Sequence, residues 1–232
     1  MNTNQLSDRL AMVACFVPRD TVLADIGSDH AYLPCYLMNK DKIERAIAGE
    51  VVKGPFESAR RNVQLNGFSD RISVRLANGL QAIEPTDAVE TVTIAGMGGT
   101  LITSILQDGK ERLDGVKRIV AQPNIHAIAI RQWAVQNGFL IADEEILRED
   151  GKIYEVVVLE RGIADYSDAD LLVGPILRKK NSDIFQAKWE REIREWQRVI
   201  KALDAAEKTE EILKKKAEME QKIELVRKVL TS

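Results

Sequence analysis

The sequence predicts an α/β fold: a parallel β-sheet ending in an antiparallel hairpin, followed by an antiparallel pair of long α-helices in coiled-coil register. Three observations predict it. Short apolar runs alternate with helical patterns from residue 21 to residue 137. Asp150-Gly151 separates two strand-like runs, a hairpin signal. Beyond residue 177 apolar side chains recur at 4-3 spacing among charges, the signature of helices that bury a narrow seam.

The first element is an amphipathic helix, with Leu6, Leu10, Val13, Ala14 and Val17 on one face and Ser7 as N-cap. A secretory signal is the rival reading, but Asp8 precedes the apolar stretch and a strand follows it almost at once. Strands are predicted at Thr21–Asp25, Arg45–Gly49, Arg71–Arg75, Thr91–Ala95 and Arg118–Gln122, each a short apolar run of the kind buried on both faces in parallel sheets. Helices are predicted between them at Ala31–Asn39, Pro55–Asn66, Thr100–Gly109 and Ile125–Asn137, the last two ending near glycine. Leu140–Leu147 and Lys152–Glu160 form the hairpin. Residues 162–170 lose periodicity, and a charged helical tail follows Leu171–Ile176.

In that tail, Trp189, Ile193, Trp196, Ile200 and Leu203 make one seam, and Ile212, Lys216, Met219, Ile223, Val226 and Leu230 make the other. A turn near Ala205–Glu207 sets Ile193 against Met219, Trp189 against Ile223, and Lys216 against Trp196 as a cation on an aromatic face. The expected organisation is a sheet domain over 1–162 and a linker with a coiled-coil domain over 163–232.

Charge distinguishes the two parts. The chain carries 33 Lys+Arg and 36 Asp+Glu; residues 177–232 hold 15 and 11 of them, leaving 18 against 25 for residues 1–176. Basic charge is concentrated in the tail, which makes it the candidate surface for an anionic partner. Arg178, Lys179 and Lys180 form one basic group and Lys214, Lys215 and Lys216 another. No run is long enough to span a membrane, and Cys15 and Cys35 form no disulfide framework, so a cytoplasmic protein is expected. A monomer is expected as well.

Chemistry concentrates at the strand ends. After the first strand comes Asp25-Ile26-Gly27-Ser28-Asp29-His30-Ala31-Tyr32, a tight turn in which Gly27 lets the backbone approach a ligand closely. A dinucleotide site would show G-x-G-x-x-G, whereas Asp29 and Tyr32 stand in that register here. A carboxylate in the turn would repel a pyrophosphate and attract a cation. S-adenosylmethionine carries a positive sulfonium and no phosphate, so it suits this loop. Glu50, 23 residues beyond Gly27, stands where a ribose diol is held. Asn78 and Gly79 follow the third strand, with Asn78 placed to read an adenine amino group. The Ala95–Thr100 segment lacks the lysine of a P-loop and gives Gly96 and Met97 as a floor for a flat ligand. Gln122-Pro123-Asn124 brings two amides to the same edge. The bland alternative, that Asp25 and Asp29 only cap turns, accounts for either residue alone but not for carboxylates and amides at successive strand ends.

These segments resemble the bacterial tRNA (adenine-22-N1)-methyltransferases. The resemblance rests on Ala24–Pro34, on Ala46–Glu50 with Gly54-Pro55-Phe56, on Ile94–Gly99 and on Gln122–His126, and it covers nearly the whole chain. It implies a class I (Rossmann-like) methyltransferase sheet with a coiled-coil tail, S-adenosylmethionine as cofactor, tRNA as partner, and cofactor contacts at Asp25, Gly27, Glu50 and Asn78. Adenine N1 has an in-plane lone pair, so methyl transfer needs alignment more than a strong base. Asp29 and Asn124 are the candidates for contact with the reacting base, Asp29 because a carboxylate would stabilise the cationic product. His30 and Tyr32 are candidate substrate contacts, and His126 reads as a helix-start residue. The only two histidines have no metal-ligand spacing, so no metal is expected. Two other function classes remain open on sequence grounds: a methyltransferase of small molecules or proteins, and a non-enzymatic cofactor-binding adaptor.

Overall fold

The computed structural model describes residues 3–205 and 209–231. Two compact units divide the chain, Met1–Ala164 and Asp165–Ser232.

The first unit opens with α1 (Asp8–Phe16), whose N-cap Ser7 accepts from the Leu10 amide. The alternation then runs β1 (Thr21–Ile26), α2 (Tyr32–Asn39), β2 (Ile43–Glu50), α3 (Lys53–Leu65), β3 (Ile72–Leu76), β4 (Thr91–Gly98), α4 (Gly99–Asp108), β5 (Arg118–Ile125), α5 (Ala127–Gln136), β6 (Phe139–Glu149) and β7 (Lys152–Arg161). All six residues of β1 are buried, which is why it reads as an unbroken apolar run rather than an alternation. β4 and β5 run three residues past their predicted ends, through Gly98 and Ile125, because register irregularities at Ala95–Gly98 let pairing continue through the glycine turn.

The seven strands lie in the order β3-β2-β1-β4-β5-β7-β6. β1 to β5 pair in parallel, and β7 enters antiparallel between β5 and β6. The β6–β7 turn places Asp150 and Gly151 at φ 48° and 72°, the positive values a two-residue hairpin turn requires. Strand order reverses between β1 and β4, so a crevice opens beyond the carboxyl ends of those strands. The core beneath this edge includes Val13, Leu23, Leu33, Leu37, Ile72 and Val120.

The second unit departs from the sequence expectation at its start. A short helix, α6 (Asp168–Val173), begins inside the stretch expected to be aperiodic, and a second, α7 (Pro175–Lys180), runs into the start of the expected helical tail. Ser167 and Asp170 form a capping box, and Gly174 at φ 94° turns α6 into α7. The signal was present in Ser167-Asp168-Ala169-Asp170, with Asp in place of the usual Glu or Gln.

α8 (Asp183–Asp204) and α9 (Glu210–Leu230) pack against one another. Ser182 and Thr209 cap their N-termini. The predicted seam residues are all buried or half-buried, and burial is deepest at Phe185, Trp189 and Ile193 on α8 and at Ile223, Val226 and Val229 on α9. Lys216 does not sit over Trp196 as expected: its Nζ pairs with Asp204 at 2.5 Å and Glu220 at 3.8 Å, because a carboxylate satisfies an ammonium better than a ring face does. The predicted turn residues after Ala205 lie outside the described residues. No helix among the described residues is long and apolar enough to cross a membrane.

Candidate functional site

Asp25, at the end of β1, is 4% exposed. Its two oxygens accept from the hydroxyls of Ser28 and Thr93, both at 2.6 Å. Burial pushes its pKa up, against those two hydrogen bonds, and the charge of Asp29 adds to the rise. Asp25 thus ties the turn after β1 to β4 from below. Neither Ser28 nor Thr93 stood out in the sequence, since hydroxyls in strands and turns are common.

The turn is anchored on β2 as well. The Gly49 carbonyl accepts from the amides of Gly27 and Ser28 at 2.9 and 3.2 Å. Gly27 has φ 69°, a conformation that favours glycine, and a Cβ there would fall 2.1 Å from the Met97 methyl, which would have to swing aside. This brings the predicted residues Gly27 and Met97 together.

Glu50, at the end of β2, is 6% exposed and its carboxylate accepts from the Asp29 amide. Burial raises its pKa, opposed by the Asp29 hydrogen bond and reinforced by the charges of Asp25 and Asp29. Val51 next to it and Leu76 at the end of β3 are 65% and 51% exposed. Asn78 is exposed and opens the turn to Gly79, which has φ 54°. The main chain joins these strand ends, since the Ala77 amide donates to the Glu50 carbonyl at 2.8 Å.

Asp29 is mostly exposed, and an Asp29 oxygen lies 3.4 Å from His30 Nε2. The His30 and Tyr32 rings stack with centroids 5.3 Å apart. Asp29, His30 and Ala31 have φ values of 39°, 69° and 55° in succession. Each left-handed residue with a Cβ costs about 1–2 kcal/mol, so this turn stores strain.

On the other side of the crevice Gly96 has φ 78° and is held at both ends of its residue. Its amide donates to Gln122 Oε1 at 3.0 Å and its carbonyl accepts from Asn124 Nδ2 at 2.8 Å. Asn124 is exposed, at the edge where it was expected. Gln122 is not presented to a ligand: it is fully buried, its oxygen also accepts from the Arg9 guanidinium, and its amide donates to the Pro123 carbonyl. Alternation along β5 puts Gln122 and Asn124 on the same side, but the register shift at Met97 leaves the first beneath the turn and the second beside it. Arg9, which nothing in the sequence marked, is fixed by Glu149 at 3.7 Å and by the Tyr154 ring at 5.4 Å. His126 starts α5 at φ 67°, the helix-start position expected of it.

Of the predicted tail cations, Arg178 bonds Asp170 at 3.2 Å, and Lys216 pairs with Asp204 and Glu220. Lys179, Lys180, Lys214 and Lys215 are exposed. Among the described residues no group of His, Cys, Asp and Glu is arranged to hold a metal ion.

The crevice thus has an engaged carboxylate beneath the turn after β1, a second carboxylate at the end of β2, apolar and amide groups at β3, and a clamped glycine turn at β4. Known proteins share this frame along its whole length. The profile of the tRNA (adenine(22)-N(1))-methyltransferases matches residues 23–228. The tRNA (adenine(22)-N(1))-methyltransferase of Bacillus subtilis is 44% identical over 99% of both chains. The crystal structure of the B. subtilis M1A22 tRNA methyltransferase TrmK superposes with a TM-score of 0.93 at 43% identity, covering 98% of this chain and 99% of that one. The Streptococcus pneumoniae protein Sp1610, in complex with S-adenosyl-L-methionine, gives a TM-score of 0.83 at 42% identity over 97% of this chain and all of that one. With its carboxylate-lined crevice at the β1–β4 switch point and a match that runs from the first strand into the last helix, this chain belongs to the tRNA (adenine(22)-N(1))-methyltransferase family.

Proposed function

We propose that this chain transfers a methyl group from S-adenosylmethionine to N1 of adenine 22 in tRNA. The observation that carries the reading is the pair of buried carboxylates, Asp25 and Glu50, on which the turn after β1 is built, at a sheet edge whose sequence has neither the G-x-G-x-x-G turn nor the P-loop lysine of a phosphate site. The name of the B. subtilis relative and the ligand of the S. pneumoniae complex support it.

The residues fit the cofactor by the chemistry of the donor set. Glu50 is an acceptor for a ribose diol, Asn78 for an adenine edge, and Val51 and Leu76 offer apolar surface to a flat ring. Asp25, its oxygens already engaged, shapes the turn and adds negative potential beneath it. When bound, the cofactor supplies an electrophilic methyl group on a positively charged sulfur. The chain's own task is then to present adenine N1 in line and to exclude water. Asp29 faces the charge that appears on the base, and Asn124, near the end of β5 and bonded to the Gly96 carbonyl, holds the base edge. Because N1 lies on the pairing edge, adenine 22 must leave its partners first. The exposed lysines 179, 180, 214 and 215 are assigned to the RNA backbone.

Incubation with labelled S-adenosylmethionine and unmodified tRNA, followed by nucleoside mapping, tests the reading. Label in 1-methyladenosine at position 22 is expected, and none when guanosine replaces that adenosine. Label in a protein or metabolite pool, or no transfer at all, overturns it.

Two expectations follow for the carboxylates. Glu50→Ala is expected to weaken S-adenosylmethionine binding by about 10- to 150-fold, the equivalent of about 1.5–3 kcal/mol for a charged acceptor. Since burial raises the Glu50 pKa, the acceptor takes up its proton at a higher pH than an ordinary glutamate. Wild-type affinity should therefore fall on acidification while exposed carboxylates are still ionised, and Glu50→Gln should flatten that profile in calorimetry. Asp29→Asn is expected to lower turnover by about tenfold or more with little change in cofactor affinity, since its interaction forms as charge develops. Equal losses in both would make Asp29 a cofactor-loop residue.

A further inference from the structure

Asn62 lies within α3, away from the strand ends, yet its side-chain amide donates to the His30 carbonyl at 2.8 Å, across 32 residues of sequence. His30 is the middle of the three left-handed residues Asp29, His30 and Ala31. Left-handed backbone is visited by residues with a Cβ singly, so a run of three persists only where its surroundings hold it.

Three holds are present. The Glu50 carboxylate accepts from the Asp29 amide at one end. At the other end the Ala31 carbonyl accepts from the Cys35 amide at 3.1 Å, in the first turn of α2. Asn62 reaches the middle of the run with its side chain. The His30 carbonyl belongs to the peptide joining His30 to Ala31, beside the stacked His30–Tyr32 pair and the Asp29 carboxylate that lies 3.4 Å from His30 Nε2.

We infer that Asn62 is a positioning residue: by holding the His30 carbonyl it keeps the left-handed turn closed and sets Asp29 toward the reacting base. The inference rests on the proposed role of Asp29. Helix stability does not account for Asn62, since asparagine is a poorer interior helix residue than alanine. Capping does not account for the side chain either, because the C-cap residue Asn66 bonds to the Asn62 backbone carbonyl, which any residue supplies.

The test uses the full chain in four forms: wild type, Asn62→Ala, Ala31→Gly and the double variant. Glycine adopts left-handed backbone without penalty, so Ala31→Gly lessens the need for an outside hold. The cofactor-free readout is the His30 imidazole proton resonance, which the Tyr32 ring shifts. The chain has two histidines, so His126 serves as the internal reference. Asn62→Ala is expected to move the His30 resonance toward that of an unstacked ring, to leave His126 in place, and to cut turnover on tRNA by about 10- to 100-fold. Its affinity for S-adenosylmethionine should change by less than about threefold. Ala31→Gly alone should change little, and in the double variant it should recover much of the His30 resonance and of turnover.

Wild-type turnover in Asn62→Ala, a loss shared equally with cofactor affinity, or the absence of rescue by Ala31→Gly would each overturn the inference. Should Asn62→Ala fail to fold, Asn62→Gln keeps the helix but carries the amide one methylene farther, and undiminished turnover in that variant would overturn it too. Failure of the Asp29 role is distinguishable: Asp29→Asn with full turnover removes that role, while the His30 resonance in Asn62→Ala still decides whether Asn62 holds the turn.

Discussion

Removal of residues 165–232 is expected to leave S-adenosylmethionine binding intact and to lower methylation of tRNA by on the order of 100-fold or more. The first unit contains the whole sheet and its own core, so cofactor affinity measured by calorimetry reports whether the shortened chain folds. The second unit carries the exposed lysines 179, 180, 214 and 215, and the remaining domain is net acidic and should repel RNA. Charge reversal at Lys214 and Lys215 in the full chain gives the finer measurement. The slope of log affinity against log salt should fall by roughly 0.7 to 0.9 for each phosphate that is no longer neutralised. Arg178 and Lys216, each bound to a carboxylate of its own unit, should contribute less to that slope. Normal tRNA methylation by the shortened chain would remove the second unit from RNA recognition.

Arg131→Ala is expected to destabilise the first unit by about 3–5 kcal/mol, the cost of leaving buried charge without its partner. Arg131, on α5, is fully buried, with Glu144 on β6 at 2.6 Å and Glu155 on β7 at 2.7 Å. Burial alone would lower its pKa, but Glu155 and Glu144 outweigh that and hold the guanidinium above its usual range. Its removal takes the guanidinium from between two buried carboxylates of the terminal hairpin. Urea unfolding of the variant would measure the loss, and a value under about 1 kcal/mol would show that water or a neighbour replaces the guanidinium. Replacing all three residues together by apolar side chains of similar size should recover most of the stability, since desolvation of the ions then disappears along with their attraction.

Much of the site was legible because its chemistry is written at strand ends. Glu50 and Gly27 stand out by type and spacing, and the structure puts Gly27 at φ 69° in the turn and Glu50 at the end of β2. Asp25 was legible as a residue but not as a role. That both its oxygens are taken by Ser28 and Thr93 depends on β4 lying beside β1, a neighbour 68 residues away in the chain. The inward turn of Gln122 depended likewise on a register shift that no periodicity announces. The helix α6, and the break that separates α7 from α8, were missed because six-residue helices are too short for a period to show, leaving only caps as a signal.

The sequence by itself determined the alternation of strands and helices, the terminal hairpin, the amphipathic tail and the carboxylate-bearing strand ends. These are local or periodic properties, set by burial on one face or both and by the few residues that tolerate a tight turn. Only the tertiary structure decided which polar groups satisfy each other and which remain for a ligand. It gave Gln122 to Arg9 and Gly96, Arg131 to two glutamates, Arg178 and Lys216 to acidic partners in their own unit, and the His30 carbonyl to Asn62. A buried donor must find an acceptor somewhere, but which one it finds is settled by packing between elements far apart in sequence.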